Sequence, residues 1–178
     1  MDKIRILDKQ FIVYLKEEDI KSRIEEMAKQ MDKDYEGKHP VFVGILNGCF
    51  MFSSDLFKSL EMECKISFLK LASYEGTRST GKVRQLIGLN EDIKDRPVII
   101  LEDIVDTGIT IEHIIKQLQA YDPADIKIAT LLFKPEAYQK TIPIDYTGFE
   151  IPNKFIVGYG LDYDGYGRNL RHIYQITH

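Results

Sequence analysis

Short apolar runs and amphipathic stretches follow one another along most of the chain. The run 98–101 is continuous, as in a parallel strand buried on both faces of a sheet, and 41–46 is predicted as a short buried strand. Residues 64–71 and 126–133 are also predicted as strands. Apolar residues at helical spacing lie between them, over 50–60 and from residue 111 onward. Strands that alternate with helices predict an α/β fold, with a mostly parallel twisted sheet and helices on both faces.

Two further elements follow from the same patterning. An amphipathic helix is predicted near the start of the chain from apolar residues at helical spacing, Ile20, Ile24, Met27 and Met31. Asp19 precedes them and is a plausible N-cap. Apolar and polar residues alternate over 83–89, which predicts another strand. No internal repeat, low-complexity segment or linker interrupts the pattern, so we expect a single domain over residues 1–178.

The apolar run 98–101 leads directly into two acidic residues. Glu102 and Asp103 are therefore expected at the carboxyl end of a buried parallel strand, the edge of such a sheet at which ligands bind. Acids beside a bound anion need something that separates the charges, and ribose hydroxyls or a hard divalent cation would do so.

The next five residues suit the binding of a phosphate group. They are Asp106, Thr107, Gly108, Ile109 and Thr110, and they form the turn before the helix that starts at about Ile111. Free amides point outward at a helix amino terminus, a glycine allows close approach, and the threonine hydroxyls add donors. The pattern favours a site for a phosphorylated sugar. A plainer alternative is that Asp106 or Thr107 only caps the helix and that both acids are solvated.

Composition narrows the possible functions. The 178 residues are 44% hydrophobic and 29% charged, which suits one globular domain with a sizeable core. The net charge of −4 and the absence of a basic block argue against nucleic-acid binding. Cys49 and Cys64 have no metal-ligand or redox spacing, and two such thiols suggest a reducing compartment. Without a signal peptide or a membrane-spanning run, we expect a cytoplasmic protein.

Two motif matches fail on inspection. Residues 76–82 resemble a nucleoside-triphosphate P-loop, but Val83 stands where a Ser or Thr should bind magnesium, and a strand pattern follows instead of a helix. Residues 162–167 resemble half of a calcium loop, but Ile173 stands where the bidentate Glu is required. We therefore expect neither site, and the four histidines form no pair with zinc-ligand spacing.

Two segments carry a family resemblance. Residues 98–110 resemble the phosphoribosyl diphosphate motif of the phosphoribosyltransferases, and 148–163 together with 168–173 resemble the purine-binding hood of the hypoxanthine-guanine branch. The resemblance implies the type I phosphoribosyltransferase fold. It also implies a small hood over the carboxyl edge of the sheet, built from the N-terminal segment and roughly residues 145–178.

The implied activity is purine salvage. The enzyme would use magnesium-bound 5-phosphoribosyl 1-diphosphate and a 6-oxopurine, hypoxanthine or guanine, and would release pyrophosphate. Its partners would be these small molecules, with no nucleic acid and no membrane, and the family suggests a homodimer or homotetramer. An oxocarbenium-like transition state would be favoured by in-line placement of the reactants and by charge balance on both sides of the ribose.

The resemblance also assigns roles around the sugar. Glu102 and Asp103 would accept hydrogen bonds from the ribose hydroxyls or bind magnesium through water, and residues 106–110 would bind the 5'-phosphate. Asp106 would also act as the base toward purine N7. Asp162 would bind the magnesium ion that also contacts pyrophosphate, so the implied metal ligands are Glu102, Asp103 and Asp162.

Further roles concern the base. Lys134 would donate to the purine O6 atom, which selects 6-oxo over 6-amino bases because an amino group cannot accept there. Without the resemblance, Lys134 would be an ordinary solvated strand terminus. Phe155 would stack on the base, the backbone of Ile156 would read its far edge, and Asp162 would lie beside them.

The remaining roles concern pyrophosphate and water exclusion. Asn47, Gly48 and Arg168 would bind pyrophosphate, and the family has a non-proline cis peptide in the 46–49 turn. Asn47 departs from the family pattern, because many members have lysine there. Ser73 and Tyr74 would begin a catalytic lid that extends to about Gly81.

Two alternatives stay open at this point. One is a phosphoribosyltransferase that prefers another base such as xanthine, since a single water or carbonyl can change how the purine's second position is read. The other is a non-catalytic regulator that senses phosphoribosyl diphosphate and binds RNA or DNA. A lost catalytic set and a basic surface would indicate such a regulator, and the sequence shows neither.

Overall fold

A computed structural model describes residues 3–72 and 84–177 of the chain. Within them the strands are β1 (Lys3–Ile6), β2 (Lys9–Leu15), β3 (Val41–Ile45), β4 (Lys65–Ala72), β5 (Arg84–Ile87), β6 (Pro97–Val105), β7 (Asp125–Phe133), β8 (Tyr146–Glu150), β9 (Ile156–Val157) and β10 (Ile173–Ile176). The helices are α1 (Glu17–Asp34), α2 (Phe50–Ser59) and α3 (Ile109–Gln119). Ser73, Tyr74 and the P-loop-like residues 76–82 lie outside the described part of the chain.

The larger sheet has the strand order β5-β4-β3-β6-β7-β8. Neighbours from β4 to β8 run parallel, and β5 pairs antiparallel with β4 at one edge. The predicted α/β class with a mostly parallel sheet is confirmed. Each of the four apolar runs forms one of these strands, because strands inside a sheet that is covered on both faces are rich in apolar side chains.

Alternate residues of the central strands face two separate cores. Phe42, Ile99 and Leu101 pack with the buried residues of α1 and α2 on one face of the sheet. Val98 and Ile100 pack with Ile111, Ile114 and Leu118 of α3 on the other face. Since successive side chains of a strand point to opposite faces, helices must cover both sides. This packing holds the strands in place, and so it positions the loops that follow them at the carboxyl edge.

Apart from shifts of one or two residues at the ends of several elements, among them β3, β4 and β5, three boundaries differ from the sequence predictions. Strand β6 continues through Glu102 and Asp103 to Val105, because its pairing with β7 continues to the Val105–Phe133 pair. Helix α3 begins at Ile109, so Ile109 and Thr110 belong to its first turn. The N-cap of α1 is Lys16, and Asp19 lies inside the first turn rather than before it. The Asp19 cap was therefore wrong, although the helix itself is confirmed.

The two ends of the chain build a second sheet of four antiparallel strands in the order β1-β2-β10-β9. It has a small core of its own, formed by Phe11, Val157 and Tyr174. Two hydrogen bonds connect this region to the helices under the larger sheet. The Glu17 amide donates to His172 Nδ1 at 2.9 Å, and the Tyr159 hydroxyl donates to a carboxylate oxygen of Asp55.

The cysteines are both free, with Cys49 buried and Cys64 partly buried. Burial raises the pKa of the Cys49 thiol to about 12, so this group is a poor nucleophile and a packing residue. Of the helices in the described ranges, none combines the length and apolar character that a membrane crossing requires.

Strand β8 is the edge of the larger sheet, and it receives its outer hydrogen bonds from a side chain on α1. Arg23 Nε donates to the Gly148 carbonyl at 2.9 Å, and Arg23 Nη2 donates to the Thr147 carbonyl at 2.8 Å. An edge strand exposes unpaired backbone groups, and the guanidinium satisfies two of them here.

We expect Arg23→Ala to lower the free energy of unfolding by about 1–2 kcal/mol, because two hydrogen bonds from a charged donor are lost at a partly exposed site. Urea denaturation measures this change. Lys29→Ala removes an exposed cation from the same helix and should shift the midpoint little. Equal midpoints for the two variants would contradict the role of Arg23.

Candidate active site

The predicted site residues follow three neighbouring strands at one edge of the sheet. Strands β3, β6 and β7 are parallel neighbours, so their carboxyl ends lie side by side. Asn47 and Gly48 follow β3, Asp106 follows β6, and Lys134 follows β7. Residues far apart in the sequence are therefore brought to one edge, which is where open α/β sheets bind ligands.

Glu102 and Asp103 lie within the last part of β6 rather than beyond its end. Glu102 is only 6% exposed, so the alternative of two solvated loop acids is wrong. Burial, followed by the charge of Asp103, raises the pKa of Glu102 well above its ordinary value. Burial also raises the pKa of Asp103, although the amide of Ile104, which donates to Asp103 Oδ1 at 2.8 Å, opposes that shift. A buried carboxyl next to a partly buried one is costly, and such sites are typically functional.

Gly48 lies directly against the Asp103 side chain. A Cβ atom at Gly48 would lie 1.7 Å from Asp103 Oδ2, so this position accepts no side chain in the present arrangement. The peptide bond between Leu46 and Asn47 is cis, as the resemblance implied. Gly160 approaches the same turn from the chain-end region, since a Cβ there would lie 2.1 Å from the Gly48 carbonyl oxygen. The turn, the strand acid and the chain-end segment are thus in direct contact.

Arg168 holds the loop of the chain-end region together. Its Nη1 donates to the Gly160 carbonyl at 2.7 Å, and its Nη2 pairs with Asp162 Oδ1 at 2.8 Å. The other Asp162 oxygen accepts from the Gly165 amide at 2.7 Å. Both carboxylate oxygens of Asp162 therefore contact the protein. The positive charge of Arg168 also lowers the pKa of Asp103, against the larger effect of burial.

The turn before α3 is arranged by glycine. Gly108 is the N-cap of the helix and has a left-handed φ of 82°. Neither Asp106 nor Thr107 is the cap, and the Ile109 amide reaches Thr107 Oγ1 only at 3.4 Å, so the capping alternative is wrong. The first amides of an α-helix have no partner within the helix, which leaves those of Ile109 and Thr110 available to an anion.

Lys134 and Asp106 form an ion pair beside this turn. Lys134 Nζ lies 3.0 Å from Asp106 Oδ2, and the Lys134 side chain is 9% exposed whereas that of Asp106 is 45% exposed. A lysine so deeply buried needs a partner for its charge. The reading of Lys134 as a solvated strand terminus is therefore wrong. The two residues predicted to contact the purine are neighbours in space, although 28 positions separate them in sequence.

Phe155 belongs to an aromatic cluster with the rings of Phe11 and Tyr163. Their centroids lie 6.3 Å and 5.7 Å from that of Phe155. Phe11 is fully buried while Phe155 is 44% exposed, so buried aromatic packing supports a ring with one open side. Ile156 is the buried first residue of β9.

Within residues 3–72 and 84–177, no group of three or more His, Cys, Asp or Glu side chains is arranged to bind a metal ion by itself. Magnesium usually binds through one or two carboxylates, several waters and substrate phosphates. The adjacent carboxyls of Glu102 and Asp103 fit that pattern. Asp162 lies in the separate chain-end loop and is paired with Arg168.

Several contacts around the site were not predicted from the sequence. They include the Tyr159–Asp55 hydrogen bond, the approach of Gly160 to Gly48, and the packing of Tyr138 on Gly108. Each joins segments at least 30 positions apart, so no local periodicity or motif could have identified it. The one available signal was Gly108 itself, since a glycine at a helix start often indicates a special backbone angle.

Comparisons with known proteins agree with this arrangement. Residues 14–164 match the family described as "Phosphoribosyl transferase domain". The chain is 44% identical over 162 residues to a hypoxanthine-guanine phosphoribosyltransferase of Staphylococcus aureus, covering 90% of each chain. It is 38% identical over 173 residues to the enzyme of that name from Aquifex aeolicus, covering 96% of this chain and 97% of the relative. A crystal structure of a hypoxanthine phosphoribosyltransferase from Staphylococcus aureus superposes with a TM-score of 0.87 at 42% identity, covering 93% of this chain and 91% of that one.

The buried acids predict a pH dependence of stability. Because the pKa of Glu102 is raised in the folded state, folding takes up a proton between the ordinary value of 4.5 and the raised value. The free energy of unfolding therefore falls as pH rises through this window. The Glu102→Gln protein lacks this pH dependence, because glutamine does not ionise.

We expect Glu102→Gln to melt at a higher temperature than the unmodified protein at pH 7–8 without divalent cations, with the difference shrinking toward about pH 4.5. Thermal unfolding at several pH values measures this. Glu136→Gln, at an exposed position, is the matched control and should change little. A Glu102→Gln protein that is less stable at neutral pH would contradict the predicted cost of the buried carboxyl.

Proposed function

The chain belongs to the hypoxanthine-guanine phosphoribosyltransferase family, and we propose that it transfers the phosphoribosyl group of 5-phosphoribosyl 1-diphosphate to hypoxanthine or guanine. The products are IMP or GMP and pyrophosphate, so the reaction is one of purine salvage. The observation that carries this proposal is the buried Lys134 paired with Asp106 beside the glycine turn of α3. Together they offer a donor for a purine oxygen, a base and an anion site at one edge.

The 5'-phosphate of the sugar would bind at residues 106–110. The left-handed Gly108 turns the backbone so that the first amides of α3 can face one anion, and the helix dipole adds positive potential there. The hydroxyls of Thr107 and Thr110 would supply further donors. Held at this point, the ribose would lie along the end of β6, beside Glu102 and Asp103.

Glu102 and Asp103 would accept hydrogen bonds from the ribose hydroxyls and would bind magnesium together with the diphosphate oxygens. Their raised pKa values follow from burial without a cation, and an oxygen-ligated cation is the partner that such carboxyls accommodate. When bound, magnesium would offset the charge of the diphosphate. Asp162 would join as a further ligand only by exchanging its contact with Arg168.

The purine would bind between Phe155 and Lys134. The open side of the Phe155 ring would stack on the base, with Phe11 and Tyr163 as support. Lys134 Nζ would donate to O6, while the backbone of Ile156 would read the far edge of the ring. Asp106 would accept the N7 proton as the new bond to the anomeric carbon forms. The group that would select the base, Lys134, thus lies next to the group that would accept its proton, Asp106.

Pyrophosphate would leave toward Asn47, Gly48 and Arg168. The Asn47–Gly48 turn offers backbone donors, and the guanidinium of Arg168 offers a planar fork for phosphate oxygens. Asn47 adds no positive charge, so more of the charge balance would come from Arg168 and magnesium. Ser73 and Tyr74 lie outside the described residues, and their catalytic and lid roles stay predictions.

The remaining expectations concern assembly and location. We propose one domain over residues 1–178, with the chain-end sheet as its hood, in a homodimer or homotetramer. A cytoplasmic location stays a prediction from composition. No observation favours the xanthine enzyme or the regulator over the hypoxanthine-guanine enzyme, and the next experiment separates all three.

The deciding experiment measures pyrophosphate release by the purified protein with 5-phosphoribosyl 1-diphosphate, magnesium and one base at a time. We expect turnover with hypoxanthine and guanine but not with adenine, because the amino group at position 6 cannot accept from Lys134. Faster turnover with xanthine would shift the assignment to that base. Tight binding of the diphosphate without turnover for any base would favour the regulator.

A substitution tests the role of Asp106. We expect Asp106→Asn to lower kcat by about 10²–10⁴-fold, because the general base is lost, while KM for the diphosphate changes only a few-fold. Asp122→Asn alters an exposed acid beyond the far end of α3 and is the matched control. Near-normal kcat in a folded Asp106→Asn protein would remove Asp106 from the role of base.

A further inference from the structure

The loop that follows β7 runs alongside the turn that follows β6 and contacts it at successive residues. The Lys134 amide donates to the Val105 carbonyl at 3.0 Å, and the Lys134 side chain pairs with Asp106. The Gln139 amide donates to the Thr107 carbonyl at 3.1 Å. One loop, residues 134–140, therefore holds the first half of the proposed phosphate turn from outside.

Tyr138 makes the contact with Gly108. A Cβ atom placed on Gly108 would lie 2.4 Å from Cε2 of Tyr138, so the tyrosine ring occupies the space that a side chain would need. Gly108 is also the residue whose left-handed φ turns the chain into α3. Because glycine has many accessible backbone angles, an unsupported Gly108 could relax away from this one. The ring packed against it restricts that freedom.

Tyr138 is itself held firmly. Its hydroxyl donates to the Ile142 carbonyl at 2.6 Å, and its ring meets that of Phe133 edge-on with centroids 5.2 Å apart. On the next turn of the loop, Lys140 Nζ pairs with Glu112 of α3 at 2.8 Å. The ring is thus fixed between the end of β7 and the start of α3. From this position it can keep Gly108 in its left-handed conformation.

We propose that Tyr138 is a positioning residue for the 5'-phosphate: it holds Gly108 so that the following amides converge on one anion. The inference rests on the proposed function for the identity of that anion. Tyr138 needs no contact with the substrate for this role. Small misplacements of binding groups weaken binding strongly. Loss of the ring should therefore lower the affinity for the 5'-phosphate and leave the affinity for the base unchanged.

The test compares ligands with and without the phosphate by calorimetry. For Tyr138→Ala we expect Kd for guanosine 5'-monophosphate to rise roughly 10-fold or more, while Kd for guanosine changes less than about twofold. Tyr138→Phe keeps the ring and should restore the affinity for the monophosphate. Tyr138→Leu fills part of the space of the ring, so its affinity for the monophosphate should lie between those of the alanine variant and the unmodified protein. It replaces the alanine variant in the test if that variant does not fold.

Tyr121→Ala is the matched control, since Tyr121 is 51% exposed just beyond the far end of α3 and should leave both affinities unchanged. Equal losses for guanosine and its monophosphate in the Tyr138 variants would reduce Tyr138 to a structural role and overturn the proposal. An unchanged monophosphate affinity would overturn it as well. Failure of the proposed function is a separate result: the unmodified protein would release no pyrophosphate, whereas a phosphate-specific loss at Tyr138 would still support the positioning role.

Discussion

Close contact between three segments at two glycines is the constraint on which the site depends. Gly48 lies against the carboxylate of Asp103, and Gly160 lies against the carbonyl of Gly48, at separations that leave no room for a Cβ atom at either glycine. The strand acid, the turn after β3 and the chain-end region meet because these two residues have no side chain. Arg168 is held at this junction through the Gly160 carbonyl, so its position depends on the same contacts.

Charged side chains of the site are paired with one another. Asp106 is paired with Lys134, and Asp162 is paired with Arg168. In the described part of the chain, neither Glu102 nor Asp103 forms an ion pair, and burial raises the pKa of both carboxyls. In the proposed reaction the substrate exchanges with these internal partners: phosphate oxygens replace Asp162 on Arg168, and a purine oxygen joins Asp106 on Lys134. Such an exchange avoids the large cost of leaving a buried charge unpaired.

The parts of the fold that were predicted are those with a local physical cause. The runs that became β3 and the first part of β6 are apolar at nearly every position because both faces of each strand are covered, and β4 and β7 are rich in apolar residues for the same reason. Boundaries were less well predicted, since β6 ends where its pairing with β7 ends and not where its apolar run ends. The strands at the two chain ends were not predicted, and only the family resemblance implied a hood there. Their apolar residues divide between a small core of their own and the core under the larger sheet, so no simple periodicity identifies them.

The sequence by itself determined the α/β class, the order of the central elements and the glycine-containing turn before α3, because each depends on residue type and on neighbours a few positions away. The roles of Asp106 and Lys134 were expected from the family resemblance. Only the tertiary structure decided that Asp106 is paired with Lys134, that Glu102 is buried, and that Tyr138 packs on Gly108. These contacts arise where parallel strands end at one edge and loops from distant parts of the chain meet. Their energies depend on distance and burial in space, and no spacing along the chain encodes either quantity.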